Sequence, residues 1–125
     1  MTDENKTVDL SRMTLPFEMH SNTGVLTLPF ENLDDETSRT LKLNLNIAMP
    51  ACKILILDLE QVKFMDSSGI GIILTSQREM NKKRGDLKLC SLSKPVRALL
   101  EMVRMNKALD IYSNLQEALT AVNQS

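Results

Sequence analysis

The chain has 125 residues, 42% of them hydrophobic and 25% charged, and its 15 basic and 16 acidic side chains leave a formal net charge of −1. This length predicts a single domain with its own hydrophobic core. The balanced charge, the lack of Trp and the small number of Phe and Tyr residues argue against a nucleic-acid interface, which needs a basic surface and stacking side chains. No apolar stretch approaches the roughly 18–20 residues of a membrane span, so we expect no membrane insertion.

The first residues are polar and carry no periodic pattern. We expect residues 1–13 to form a flexible N-terminal arm and residues 14–125 to form the domain. The arm contains acids and no apolar run, so it does not resemble a secretory signal, and we expect a cytoplasmic protein. Cys52 and Cys90 lie beside or within predicted core strands, which favours buried free thiols over a disulfide or redox pair.

Two short apolar segments, residues 15–20 and 25–28, flank the sequence Ser-Asn-Thr-Gly at positions 21–24. Asn and Gly are common in turns, so this pattern predicts a β-hairpin at the edge of a sheet. His20 is the only histidine, and no Cys, Asp or Glu stands near it at ligand spacing. We therefore expect an ordinary strand or turn residue there and not a metal ligand.

The next segment carries two conflicting patterns. Acidic residues directly after Leu33 favour the start of a helix. Apolar residues then recur at every second position, as in a strand: Leu41, Leu43, Leu45 and Ile47. Another set recurs at helical spacing: Thr37, Leu41, Leu45 and Ala48. Pro50 would end such a helix, but the pattern by itself slightly favours a strand over residues 36–48.

The centre of the chain is a buried strand followed by a helix. Residues 54–57 are four consecutive apolar residues, ended by Asp58, as expected of a parallel strand covered on both faces. Asp66 and Ser67 can cap the helix that follows. Ile70, Ile73 and Leu74 fall on one stripe of this helix, which Gln77 and Met80 continue. We expect Gly69 and Gly71 to allow close backbone packing, and the cations at 82–84 followed by Gly85 to end the helix with a glycine C-cap.

The last third repeats the alternation of strand and helix. Residues 86–92 predict a strand, and Ser93 with Pro95 predicts a capped helix start. The expected buried stripe of that helix is Val96, Leu99, Leu100 and Val103, flanked by Met102 and Met105. A short strand at 111–112 and a helix over 114–122 complete the chain. This order predicts an α/β fold with a parallel core, in which a ligand or partner would meet the carboxyl ends of the strands, where Asp66 to Gly69 lie.

The sequence Asp66-Ser67-Ser68-Gly69 allows two interpretations. It is sufficient to cap a helix and nothing more. Alternatively, a serine hydroxyl at a helix N-terminus is a favourable position for a phosphate, because free amides and the positive end of the helix dipole attract negative charge. The spacing of the residues leaves both interpretations open.

The stretch F-M-D-S-S-G-I-G-I-I-L, preceded by I-L-I-L-D-L, resembles the STAS domain of bacterial anti-anti-sigma factors (anti-sigma factor antagonists). A looser similarity extends from about Thr14 to Val122. The resemblance implies a STAS-like single domain with a mixed sheet of four to five strands, an edge hairpin plus a parallel core, and about four helices. It also implies that residues 36–48 form the first helix.

The same resemblance implies a function. In that family the unmodified protein binds an anti-sigma factor that is also a serine-protein kinase, and a PP2C-type phosphatase reverses the phosphorylation. The phosphorylated serine directly precedes the glycine, which corresponds to Ser68 here, with Ser67 as the second choice. The partner-binding residues would be Asp66, Ser67, Ser68, Gly69 and Ile70.

Other functions have less support in the sequence. One histidine cannot supply a Ser-His pair of the usual kind, S-G-I-G is not a P-loop, and two isolated cysteines do not make a zinc site. We therefore expect no enzyme activity and no cofactor, and a monomer or weak dimer. The alternative is a STAS adaptor subunit, without phosphorylation, in a stressosome-like or lipid-transport assembly. A nucleotide-binding or other small-molecule-binding STAS module is a third possibility.

Overall fold

The computed structural model describes residues 13–123, so the predicted arm lies outside the described residues except for its last residue. The elements, in chain order, are β1 (Phe17–His20), β2 (Thr23–Thr27), β3 (Asn32–Leu33), α1 (Asp35–Ala51), β4 (Ile54–Asp58), β5 (Phe64–Met65), α2 (Ser67–Lys82), β6 (Asp86–Cys90), α3 (Lys94–Met102), β7 (Asp110–Tyr112) and α4 (Leu115–Asn123). No helix within this part of the chain has the length and hydropathy needed to cross a bilayer.

The main sheet has five strands in the order β1-β2-β4-β6-β7. Strand β1 pairs antiparallel with β2, and the other pairs are parallel. This mixed sheet, with four helices, confirms the predicted STAS-like α/β class. Leu55, Ile56 and Leu57 of the central strand β4 are fully buried, as their apolar run predicted. The sequence did not predict the second, two-stranded parallel sheet of β3 and β5.

Side chains alternate between two core layers along β4. Leu55 and Leu57 belong to the larger cluster, which includes the buried sides of α1, α2 and α3. Ile56 points to the opposite face and packs in a smaller cluster with Ala118 of α4. The cysteines divide in the same way, with Cys52 in the larger cluster and Cys90 in the smaller one, and both are buried free thiols as expected.

Residues 36–48 are helical. Asp34 caps α1 by accepting from the Thr37 amide at 3.1 Å, and the Thr37 hydroxyl accepts from the Asp34 amide at 2.9 Å. Leu41 and Leu45 are buried against the sheet, whereas the other two members of the alternating pattern, Leu43 and Ile47, are exposed. The strand pattern was therefore wrong, because it combined core residues with apolar residues on the outer surface.

Three details of the sequence prediction need correction. The hairpin turns at Ser21-Asn22, where Ser21 takes a left-handed φ of 61°, and Gly24 lies inside β2 opposite Met19. Pro50 lies in the last turn of α1, which continues to residue 51. Val103 follows the end of α3 and is exposed, so it is not part of a buried stripe.

The predicted glycine C-cap of α2 is also wrong. Lys83 is the C-cap, and Arg84 takes the left-handed conformation, with a φ of 64°. The amides of Arg84 and Gly85 donate to the carbonyls of Asn81 and Met80 at 3.0 and 2.7 Å, which closes the helix end. Gly85 has a different role: a Cβ atom there would lie 2.4 Å from the Lys53 carbonyl oxygen, so only glycine fits.

Candidate functional site

The start of α2 is positioned by the small β3–β5 sheet. Strand β3 follows β2 and β5 follows β4, so this sheet lies beyond the carboxyl ends of two parallel strands. The amides of Lys63 and Phe64 donate to the Glu31 carbonyl at 2.7 and 3.0 Å. The Asp66 amide donates to the Leu33 carbonyl at 3.2 Å. These bonds fix the backbone immediately before α2.

Asp66 is the N-cap of α2. Its backbone is extended, and its Oδ1 accepts from the amides of Ser68 and Gly69 at 2.9 and 3.2 Å. The carboxylate thereby satisfies two of the amides that a helix leaves free at its first turn. Asp66 is exposed, so it is also a negative charge available to a partner.

Ser67 and Ser68 are the first two residues of α2. Ser67 is exposed and Ser68 is partly exposed, so neither hydroxyl is sealed in the interior. Within residues 13–123, the hydrogen bonds to Asp66 at this turn are donated by the backbone amides of Ser68 and Gly69 and not by either serine hydroxyl. Both side chains can therefore react without disrupting an internal hydrogen bond.

The two glycines of the motif differ. Gly69 is buried, and a Cβ atom there would lie 2.7 Å from the Leu33 carbonyl oxygen and 2.7 Å from Met65 Cγ. Close packing at this position is thus confirmed. Gly71 is exposed, and a Cβ atom there would meet nothing within 4 Å, so the same expectation was wrong for Gly71.

Ile70, the last of the predicted partner-binding residues, packs partly against the larger core cluster. More apolar surface is available on neighbouring elements, where Phe64 of β5 is 63% exposed and Met102 of α3 is 77% exposed. Helix α3 contacts β5, so these side chains belong to adjoining elements. Phe64 was not predicted to lie at the surface, and the only local signals were Lys63 directly before it and Asp66 two residues after it.

The arrangement suits an anion better than a catalytic reaction. The amides and the dipole at the start of α2 favour negative charge on the adjoining hydroxyls. No group of His, Cys, Asp and Glu side chains suitable for a metal ion occurs among the described residues. His20 lies at the surface, where its Nε2 is 3.2 Å from Glu18 Oε1. Burial raises the pKa of Cys52, and it raises the pKa of Cys90 to about 11, so neither thiol is a ready nucleophile.

Fold and site together define a class: small single-domain α/β proteins that present a serine pair at a capped helix start beside the carboxyl ends of a parallel sheet. The STAS domain family matches residues 16–118. The chain is 36% identical over 111 residues to an anti-sigma F factor antagonist of Paenibacillus polymyxa, covering 86% of this chain and 95% of that protein.

Two solved structures agree with this similarity. The anti-sigma factor antagonist SpoIIAA in its unphosphorylated form shares 26% identity with a TM-score of 0.75, covering 90% of this chain and 98% of that one. The Bacillus cell fate determinant SpoIIAA in its phosphorylated form also shares 26% identity, with a TM-score of 0.68, covering 87% and 99%. The chain belongs to the STAS domain family and is a relative of the anti-sigma factor antagonists within it.

Proposed function

We propose that this protein is an anti-sigma factor antagonist controlled by phosphorylation of Ser68. In its unmodified form it binds an anti-sigma factor that is also a serine kinase, and the sigma factor is released. Phosphorylation of Ser68 prevents that binding, and a PP2C-type phosphatase restores it. The protein would act in the cytoplasm, as a binding partner and a kinase substrate and not as an enzyme.

One observation carries the proposal: the Ser68 hydroxyl is accessible at a capped helix start. A buried Ser68 would have been incompatible with access by a kinase, but the side chain is partly exposed. Similarity to SpoIIAA, for which an unphosphorylated and a phosphorylated structure exist, supports the same assignment. Ser67 is the more exposed serine and remains the second choice.

Phosphorylation should act on the interface and leave the fold intact. A phosphoserine adds about −1.5 to −2 charges at pH 7. The helix dipole tolerates this charge in the free protein, so little stability should be lost. In the complex the phosphate would be desolvated beside the Asp66 carboxylate, which is already negative. A penalty of roughly 3–4 kcal/mol for a poorly paired interfacial charge corresponds to a hundredfold to thousandfold loss of affinity.

The docking surface in this proposal combines the serine pair with the apolar residues beside it. Phe64 is an exposed aromatic residue on β5, one residue before Met65 and two before the cap. Aromatic side chains are frequent binding hot spots because they bury a large area at low entropic cost. Gly69 is buried and would not contact the partner. Its lack of a side chain allows the start of α2 to lie close to β3. Asp66, Ser67 and the exposed part of Ile70 would meet the partner directly.

The test is phosphorylation by the cognate kinase with ATP, followed by mapping of the modified residue by mass spectrometry. We expect a single phosphate on Ser68 in the wild type and none in Ser68→Ala. Ser67→Ala is the matched control, since it removes the adjacent hydroxyl and should still be phosphorylated. Labelling of Ser68→Ala together with loss of labelling in Ser67→Ala would move the site by one residue.

Binding provides the second measurement. Unmodified protein should bind the anti-sigma factor. Ser68→Asp should bind at least tenfold more weakly, because it adds a negative charge at the interface. Its effect should be smaller than that of phosphorylation, because one carboxylate carries less charge than a phosphate. Circular dichroism and melting curves of the phosphorylated protein should match those of the unmodified one. A large loss of helix on phosphorylation would contradict the interface mechanism. Co-purification with a transporter ATPase, and no kinase, would favour the adaptor function instead.

A further inference from the structure

The free edge of the main sheet carries an apolar surface that the site at α2 does not use. Strand β1 is one of the two edge strands. The side chains of Phe17 and Met19 lie on the same face of β1, the face next to α1, and they are 38% and 44% exposed. Beside them on α1, Leu43 is 46% and Ile47 is 76% exposed. We call these four residues, Phe17, Met19, Leu43 and Ile47, the edge patch.

Among residues 13–123, no strand pairs with the outer side of β1, so its backbone can accept a partner at this edge. The hairpin has a two-residue turn, and the Thr27 amide donates to the Pro16 carbonyl at 3.0 Å. In an antiparallel ladder the hydrogen-bonded residues alternate, so Pro16, Glu18 and His20 direct their backbone groups toward β2. Phe17 and Met19 then direct theirs away from β2, toward the free edge. An unpaired edge of this kind is a template for another strand.

The sequence of β1 is complementary to itself. If two copies of Phe17-Glu18-Met19-His20 pair antiparallel with Met19 opposite Met19, each Glu18 lies opposite the His20 of the other copy. Glu18 and His20 are already 3.2 Å apart within one chain. In the dimer, the Glu18 carboxylate of each copy would also lie beside the His20 imidazole of the other copy. Shifting the register by centring it on Glu18 would place two carboxylates opposite each other, which is unfavourable. Repulsion between the two Glu18 carboxylates thus disfavours the Glu18-centred register, whereas the Met19-centred register places a hydrogen-bonding pair opposite each other.

We propose that a second copy of this chain binds along β1 and forms a two-fold symmetric dimer with a continuous sheet. The backbone groups of the two Met19 residues pair across the seam, and each Phe17 lies opposite the turn residue Ser21 of the other copy. The edge patches of both copies face each other beside it, on the side of the sheet that carries α1. An apolar groove of about 250 Å³ bordered by Phe17, Leu43 and Ile47 is open to receive side chains from the partner. The interface is isologous, as expected for a two-fold dimer.

Sedimentation velocity of the full chain tests this, at protein concentrations from roughly 10 µM to 1 mM, the range of weak interfaces. We expect a reversible monomer–dimer equilibrium. Glu18→Lys and His20→Glu should each raise the dissociation constant about tenfold or more, because the first removes the carboxylate that faces His20 and the second places two carboxylates opposite each other. The double variant Glu18→Lys/His20→Glu restores opposite charges and should recover most of the affinity. Met102→Lys, a charge at an equally exposed methionine elsewhere, is the matched control and should dimerise like the wild type.

A monomer throughout the concentration range would overturn the proposal, and so would a dimer that ignores the single charge changes. If residues 1–12 occupy the edge patch, the full chain would be monomeric and a chain beginning at residue 13 would dimerise, which also overturns it. Ile47→Glu, an exposed position outside the strand, should weaken the dimer without affecting β1 itself. None of these residues belongs to the site around Ser68, so this proposal and the proposed function can fail independently.

Discussion

Substitution of Gly69 by alanine tests how the start of α2 is held in place. The added Cβ would lie 2.7 Å from the Leu33 carbonyl oxygen, 2.7 Å from Met65 Cγ and 2.8 Å from Leu33 Cγ. Comfortable contacts are about 3.5–4.0 Å, so the helix start must move by nearly an ångström or the small sheet must yield. That oxygen also accepts from the Asp66 amide, so the displacement would disturb the N-cap.

The expected free-energy change follows from two opposing effects. Overpacking of this kind costs roughly 1–3 kcal/mol, and alanine recovers about 1 kcal/mol of helix propensity relative to glycine. Gly69→Ala should therefore lose about 0–2 kcal/mol of unfolding free energy. Gly71→Ala makes the same chemical change two residues later, where a Cβ meets nothing within 4 Å, and should gain about 0.5–1 kcal/mol.

Urea unfolding of both variants measures this difference, and the melting temperatures should separate in the same order. Gly69→Ala should also bind the anti-sigma factor more weakly, because the serine pair moves with the helix start, whereas Gly71→Ala should bind like the wild type. If Gly69→Ala is as stable as Gly71→Ala, the close approach of α2 to β3 is not what requires glycine, and the reasoning is refuted.

Three further predictions concern the docking surface, a helix end and a buried thiol. Phe64→Ala should weaken anti-sigma factor binding by about 2 kcal/mol, on the order of thirtyfold in Kd, with an unchanged melting curve; equal binding by titration calorimetry would exclude Phe64 as an anchor. Arg84→Gly should raise the unfolding free energy by about 1 kcal/mol, because Arg84 has a left-handed φ of 64°, which glycine adopts without strain. Arg78→Gly, inside α2, is the control and should lower the unfolding free energy by about 1 kcal/mol. A loss of stability in Arg84→Gly would contradict this reasoning. Burial raises the pKa of Cys90 to about 11, so the fold favours the protonated thiol, and that stabilisation is present below the unfolded pKa of about 9 and lost as the pH rises toward 11. Between pH 8 and pH 10 the wild type should lose about 1–2 kcal/mol more than Cys90→Ala in urea unfolding, and parallel pH profiles would show that the thiol does not contribute.

The sequence anticipated those parts of the fold that depend on short-range chemistry. Four consecutive apolar residues at 54–57 can be satisfied only by burial on both faces, and that strand is the centre of the sheet. Caps are equally local, since an Asp or Ser oxygen reaches amides two or three residues ahead. Asp66 and Ser93 therefore act as predicted, with Ser93 Oγ accepting from the Val96 amide at 3.4 Å.

Residues 36–48 show where local pattern was insufficient. Their apolar residues fit two periods, with the strand slightly favoured, because a pattern cannot separate a core leucine from one on the outer surface. The resemblance to a family favoured the helix, and the fold requires it, because β2 and β4 are parallel neighbours and the chain between them must cross the sheet.

By itself, the sequence determined the alternation of the longer strands and helices from β4 onward and the capped serine pair, because both depend on residues close together in the chain. Tertiary structure decided which glycine is indispensable, which apolar residues stay at the surface and which edge of the sheet is free. These depend on neighbours distant in sequence: Leu33 approaches Gly69, Lys53 approaches Gly85, and no strand of the described chain lies outside β1. Distances of this kind are set by packing, which the order of residues does not record.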